Sequence, residues 1–310
     1  MTTLYPTAQH YLSRDHHTQS FGAEFTPALR VKAGDRIHVQ TWDCYKGQVV
    51  SDADLIKVID DSQVNPATGP IYVQGAEPGD TLAVTILDIK TEARGAARFS
   101  PGEGQLHQKA KGPYGTFFDV KDGVITMNEK VSFPINPMLG VIGVAPEKGS
   151  ILTMPAGKHG GNLDNNMNKI GSTIYLPVKH EGALLGIGDM HASMGDGEIC
   201  GTGVEIGGDV LLEVNVIKSM TTDFPVTETS DSWITHGVAV EDIQEAMKLA
   251  CEEAAGLLVH HWGFTYEDAF IFLSVACDLG IAQNVHPCEG TVIAKVRVPK
   301  ISACPKPFKI

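Results

Sequence analysis

Gly79-Asp-Thr-Leu-Ala-Val-Thr-Ile-Leu-Asp-Ile89 decides the fold class. A Gly-Asp turn opens it, and the residues that follow alternate in the period-two pattern of a strand. The same order recurs in Gly34-Asp-Arg-Ile-His-Val-Gln-Thr-Trp42, so a unit of turn followed by strand occurs twice. Val64-Asn-Pro-Ala-Thr-Gly-Pro-Ile-Tyr-Val73 reads as a turn entering another strand. Arg98 to Gln108 reads as a loop. Phe133-Pro-Ile-Asn-Pro137 then leads, broken by proline, into the short buried strand Gly140-Val-Ile-Gly-Val144. Asp209-Val-Leu-Leu-Glu-Val-Asn-Val-Ile217 is the clearest late strand.

Helical periodicity enters only afterwards. Val240, Ile243, Met247, Ala250, Ala254 and Leu257 repeat at three- and four-residue steps, one apolar helical stripe. Thr265-Tyr-Glu-Asp268 resembles a capping box, and predicts a second helix from Thr265 to about Leu279, stopped by Gly280. Many short strands followed by a helical pair predict a β-rich α+β fold, a β-sandwich in place of a doubly wound sheet. No G-x-G-x-x-G or phosphate loop follows a strand. With no long Pro-, Ser- or Gly-rich linker, residues 1–310 are expected to form a single domain.

Composition narrows the class. The chain has 310 residues, 43% hydrophobic and 20% charged, enough for a sizeable core. A net charge of -13 argues against nucleic acid as a partner, since a basic face would be its footprint. No apolar stretch approaches a membrane span, and no basic region followed by an apolar run opens the chain. Cysteines 44, 200, 251, 277, 288 and 304 contain no C-x-x-C pair, which fits scattered reduced thiols and a cytoplasmic location.

Two glycine-rich segments carry the candidate chemistry: Pro155-Ala-Gly-Lys-His-Gly-Gly-Asn-Leu-Asp164 and Gly188-Asp-Met-His-Ala-Ser-Met-Gly-Asp-Gly-Glu198. Polar turns account for one such segment; two, flanking the apolar run Ile174-Tyr-Leu-Pro-Val178, point to a site. Asp189 and His191 are two apart and share one face of an extended strand, which marks them as metal ligands or an acid/base pair. His159 and Asp164 are further candidates, beside ordinary roles in a turn or cap. Glu198 and Glu205 stand where the chain re-enters the sheet, either as solvated edge residues or as the base that activates water. Asp43, at the end of a strand, is a distant candidate for the same site. Cys200 is a lesser candidate nucleophile, more readily read as a small buried filler.

The motifs Gly171-Ser-Thr-Ile-Tyr-Leu-Pro-Val178, Gly182-Ala-Leu-Leu-Gly-Ile-Gly-Asp-Met-His-Ala192 and Gly195-Asp-Gly-Glu198 together resemble the acetamidase/formamidase family. So do Gly140-Val-Ile-Gly-Val-Ala-Pro146, His159-Gly-Gly-Asn-Leu-Asp164, Glu267-Asp-Ala-Phe270 and Leu273-Ser274. The resemblance covers most of the chain. It implies a jelly-roll-like β-sandwich, cytoplasmic homo-oligomers, and hydrolysis of short aliphatic amides to carboxylate and ammonia. It also implies a divalent metal, zinc or calcium, near the Gly-Asp-Met-His segment. Met194 stands in place of a frequent Gln, Tyr45 belongs to a bulkier Trp42–Gly47 segment, and His286 precedes Pro287 in place of Asn or Asp. If these line the pocket, the substrate differs from formamide or acetamide.

Joined, the two readings give a mechanism. A metal held by Asp189 and His191, with Asp43, His159 or Glu205 completing its shell, activates water and polarises an amide carbonyl. Glu198 or Asp164 moves the proton to the leaving nitrogen, and Gly160 and Gly161 offer backbone N–H groups to the oxyanion, beside Asn162. Another hydrolase of a small carbonyl or urea-like compound, and a non-catalytic binder with a structural metal, remain open alternatives.

Overall fold

The computed structural model describes residues 4–220, 222–287 and 290–302. Its largest sheet has nine strands, ordered His10–Leu12, Arg36–Thr41, Gly208–Ile217, Thr81–Thr91, Thr173–Pro177, Val226–Glu228, Ser232–Val240, Thr291–Pro299 and Asp278–Gln283. The two repeated turn-and-strand units flank the same partner, since Arg36–Thr41 and Thr81–Thr91 both pair antiparallel with Gly208–Ile217. Their turns match as well. Gly34 and Gly79 have φ of 87° and 95°, a region that disfavours a Cβ. Asp35 then accepts the N–H of Lys32 at 2.8 Å, and Asp80 that of Glu77 at 2.9 Å.

A second sheet runs Ala156–Gly157, Gly160–Asn162, Met138–Gly143, Leu185–His191, Ala67–Gln74 and His17–Thr18, with Leu29–Lys32 added parallel to Ala67–Gln74. The two sheets share one apolar core. Ile37, Leu82, Val84, Ile86, Val210 and Leu212 from the first pack with Ile71, Val73, Leu139, Ile142, Leu185 and Ile187 from the second. Burying each such side chain contributes about 1.5–3 kcal/mol, which fixes strand register wherever a one-residue slip would expose the set. A four-stranded sheet, Val131–Pro134, Val124–Asn128, Tyr114–Lys121 and Arg94–Phe99, adjoins the sandwich. Arg94–Phe99 thus takes the first residues of the segment expected as a loop.

Helix α1 (Ile243–Trp262) and helix α2 (Tyr266–Ala276) cover the other face of the large sheet. Asp242 caps α1 through the N–H groups of Gln244 and Glu245, and Gly263 ends it in a left-handed conformation. Ala246, Ala250 and Ala254 lie against Trp233, Val292 and Val296. The helix comes so close that a Cβ on Gly237 would sit 2.1 Å from the Ala246 carbonyl oxygen. Val240, expected on the helical stripe, belongs instead to strand Ser232–Val240. Thr265 caps α2 as expected, but α2 stops at Ala276, and Leu279 and Gly280 lie in strand Asp278–Gln283. That strand pairs with Thr291–Pro299, whose ladder outcompetes continuation of the helix. No helix among the described residues is long and apolar enough to cross a membrane.

Candidate functional site

The strand Leu185–His191 lies inside the second sheet and is buried along its whole length. Its last turn of chain carries Asp189 and His191 into one cluster, with Asp189 Oδ1 3.4 Å from His191 Nε2. Three other acids converge on that nitrogen: Glu205 Oε2 at 3.1 Å, Asp164 Oδ1 at 4.0 Å and Glu198 Oε1 at 4.0 Å. All five side chains are buried. Backbone pairing places Glu205, which bridges His191 on one side and Ala96 on the other. Its Oε1 accepts the Gly203 N–H at 2.9 Å, leaving Oε2 directed at His191.

Asp164, Asp189 and Glu198 all have positive φ, 37°, 50° and 45°. Such backbone costs about 1–3 kcal/mol per residue and persists where the surroundings over-determine it. Space is made by glycine. A Cβ on Gly140 would lie 2.3 Å from Asp164 Oδ1 and 2.6 Å from Asp189 Oδ2. Gln283 donates from Nε2 to Asp164 Oδ2 and, at 2.8 Å, to Glu198 Oε2.

Electrostatically the cluster is out of balance. Burial pushes Asp164 well above the usual carboxylate range, and Glu198 and Asp189 add to the shift. Glu198 is also raised, by burial, with His191 opposing. Glu205 is pushed up to about 8 by burial, again against His191. Burial works against charge on His191, yet Glu205 and Asp189 outweigh it and raise its pKa well above the ordinary value. Even so, Asp164 Oδ1, Asp189 Oδ1, Glu205 Oε2 and both His191 ring nitrogens make no hydrogen bond. Buried polar atoms are ordinarily paired, and an unpaired group of acids around an imidazole is a candidate ligand set for a cation. The donors, imidazole nitrogen and carboxylate oxygen, fit zinc, and the oxygens alone fit calcium.

A cavity of about 430 Å³ opens onto this cluster. Cys44, Tyr45, Asn65, Arg98, Asn162, Asp164, Asp189, Glu198, Glu205 and Gln283 are among its lining residues. Asn162 Oδ1 is buried there without a partner.

Other candidates lie elsewhere. Asp43 does not join the cluster: its carboxylate accepts the N–H groups of Tyr45 at 2.8 Å and Gly47 at 3.1 Å, closing a turn. The next residue, Cys44, is the one that reaches the acids, within 4.8 Å of Asp189 and Glu205. His159 is buried against Phe21, ring centroids 5.3 Å apart, outside the cavity lining, and burial lowers its pKa to about 4. Gly160 and Gly161 are strand residues paired with Met138–Gly143 and Ala156–Gly157, and neither lines the cavity. Cys200 does not line it either; its thiol faces Thr202 O at 3.7 Å. Of the three departures from the family pattern, Tyr45 lines the cavity, whereas Met194 is buried outside its lining and His286 is exposed. Sequence reading missed Cys44 and Gln283. The period-two rule that favours Asp43 on one face turns its neighbour to the other, and Gln283 follows a segment read as helix.

The model of the Acetamidase/Formamidase family matches residues 9–151 and 147–301. A formamidase of Methylophilus methylotrophus is 28% identical, covering 88% of this chain and 84% of that protein. Among solved structures, a predicted acetamidase/formamidase from Thermoanaerobacter tengcongensis is 41% identical with a TM-score of 0.90, covering 94% of this chain and 95% of that one. An acetamidase from Bacillus halodurans is 37% identical, also with a TM-score of 0.90, covering 93% and 97%. A β-sandwich of this build with a buried acid–imidazole centre is therefore an amidohydrolase. The chain belongs to the acetamidase/formamidase family.

Proposed function

We propose that this protein hydrolyses a short aliphatic amide to carboxylate and ammonia with the help of a divalent cation, zinc in first place. The observation that carries the reading is the set of buried, unpaired atoms around His191 Nε2, whose neighbouring acids line the cavity. His191 and the two acids whose carboxylates lie nearest its Nε2, Asp189 and Glu205, are the residues that would hold the ion. A bound divalent ion supplies an acidified water and a polarised carbonyl. Glu198 and Asp164 are then the proton carriers. Burial raises the pKa of both, which favours carboxylates that take a proton and return it to nitrogen, so that ammonia leaves and not amide anion. Asn162, which lines the cavity and has its Oδ1 unpaired, would accept from the substrate's NH₂ group.

The cavity volume supports a second reading of substrate size. At about 30 Å³ per water in the liquid, acetamide would leave much of the space unfilled. A longer-chain or urea-like amide on the same machinery is therefore the alternative. Ammonia release from formamide, acetamide, propionamide and butyramide, before and after chelation with metal add-back, tests both. Release insensitive to chelation would overturn the metal-dependent mechanism, and no release from any amide would overturn the substrate class.

We further propose a homo-oligomer in the cytoplasm. Tyr266, Phe270, Ile271 and Val275 leave an exposed apolar face on α2, and Cys44, Cys200, Cys251 and Cys277 are free thiols. Cys288 and Cys304 lie outside the described residues. Light scattering that gives a monomer at micromolar concentration would overturn the first of these readings.

A further inference from the structure

We propose that the centre takes two cations, the second held by Cys44 together with Asp189 and Glu205. This inference rests on the metal-dependent reading above. Cys44, Asp189 and Glu205 each offer one donor atom within 4.8 Å of the others, and all three are buried. Asp189 Oδ1 and Glu205 Oε2 have no hydrogen-bond partner. The same two carboxylates lie 3.4 and 3.1 Å from His191 Nε2. They therefore lie close to two donors of different chemistry, the His191 imidazole and the Cys44 thiol. Carboxylates between two donor sets are the arrangement that bridges paired ions in two-metal hydrolases.

Cys44 packs beside Tyr45, Leu55 and Ala96, and its sulfur is the donor this small cluster offers to the acids. Binding an ion removes the thiol proton to solvent and leaves a thiolate–metal bond, with no oxidant required. A sulfur donor also sets a preference. Thiolate selects zinc or cobalt over calcium or magnesium, so the Cys44 side is selective for the softer ions.

The test loads the full chain with cobalt(II) or zinc after chelation. It reads metal per chain by mass spectrometry and the near-ultraviolet thiolate-to-cobalt charge-transfer band. Two ions per chain with that band are expected in the wild type. Cys44→Ala should bind one ion and lose the band, and His191→Ala should keep the band while losing the other ion. Should Cys44→Ala prove unfolded by circular dichroism, Cys44→Ser keeps the size of the side chain and should also lose the band. One ion in the wild type without the band overturns this inference and leaves the proposed function standing. No bound ion in any form overturns both.

Discussion

One amide group, Gln283 Nε2, ties together Asp164 and Glu198, donating to Oδ2 of the first and, at 2.8 Å, to Oε2 of the second. The two acids come from separate glycine-rich segments, and Gln283 from a strand near the C-terminus. A neutral donor is the chemistry this position requires. It satisfies one oxygen of each carboxylate without neutralising either, and leaves the remaining oxygens directed at His191.

Gln283→Ala should therefore loosen both acids at once. Residues that orient a metal site in this way are worth about 10–100-fold in metal affinity or activity. Competition with a chromophoric chelator, alongside kcat for ammonia release, measures both. An unchanged pair of values would remove Gln283 from the machinery.

His191→Ala should reduce turnover by at least about 100-fold, the lower range for losing a positioned acid–base or electrostatic group. Its thermal unfolding should stay cooperative, because the strand's neighbours Ile187 and Met190 still pack in the core. Ammonia release at the wild-type rate would sink the assignment of this residue.

Gly140→Ala tests the geometry without touching a functional side chain. The added Cβ would meet Asp164 Oδ1 at 2.3 Å and Asp189 Oδ2 at 2.6 Å, so the two acids must part. Metal affinity should fall more steeply than urea stability. If instead stability collapses and the residual folded protein binds metal normally, the glycine serves packing alone.

His236 gives the pH dependence. It is buried as a neutral ring, with Nδ1 donating to Pro225 O and Nε2 accepting from Asn165, both at 2.8 Å. Burial lowers its pKa from 6.5 to about 4. The folded state thus binds fewer protons here than the unfolded chain, so this stability is present above 6.5 and lost as pH falls toward 4. His236→Gln should be less stable at about pH 7 yet lose less on going to about pH 5. Urea midpoints for both proteins, with chelator present, decide it; parallel losses would show that His236 does not titrate.

The sequence determined the strands whose two faces differ. In Thr81–Thr91, Leu82, Val84 and Ile86 enter the sandwich core while Ala83 joins the core beneath the helices. That alternation is local, dictated by the pleat, and so is legible in a row of letters. Asp189 and His191 were legible for the same reason, two positions apart on one strand. Tertiary structure alone decided the rest. Phe270 to Leu279 is interrupted only by Ser274 and Asp278, and the ladder with Thr291–Pro299 takes over where the helix ends at Ala276. Cys44 and Gln283 reach a common cavity from segments about 240 positions apart, and Asp43, the candidate ligand read from the sequence, is spent on its own turn. Which side chains meet depends on sheet order and register, and those follow from burying the whole core at once, a sum over distant residues that no local spacing records.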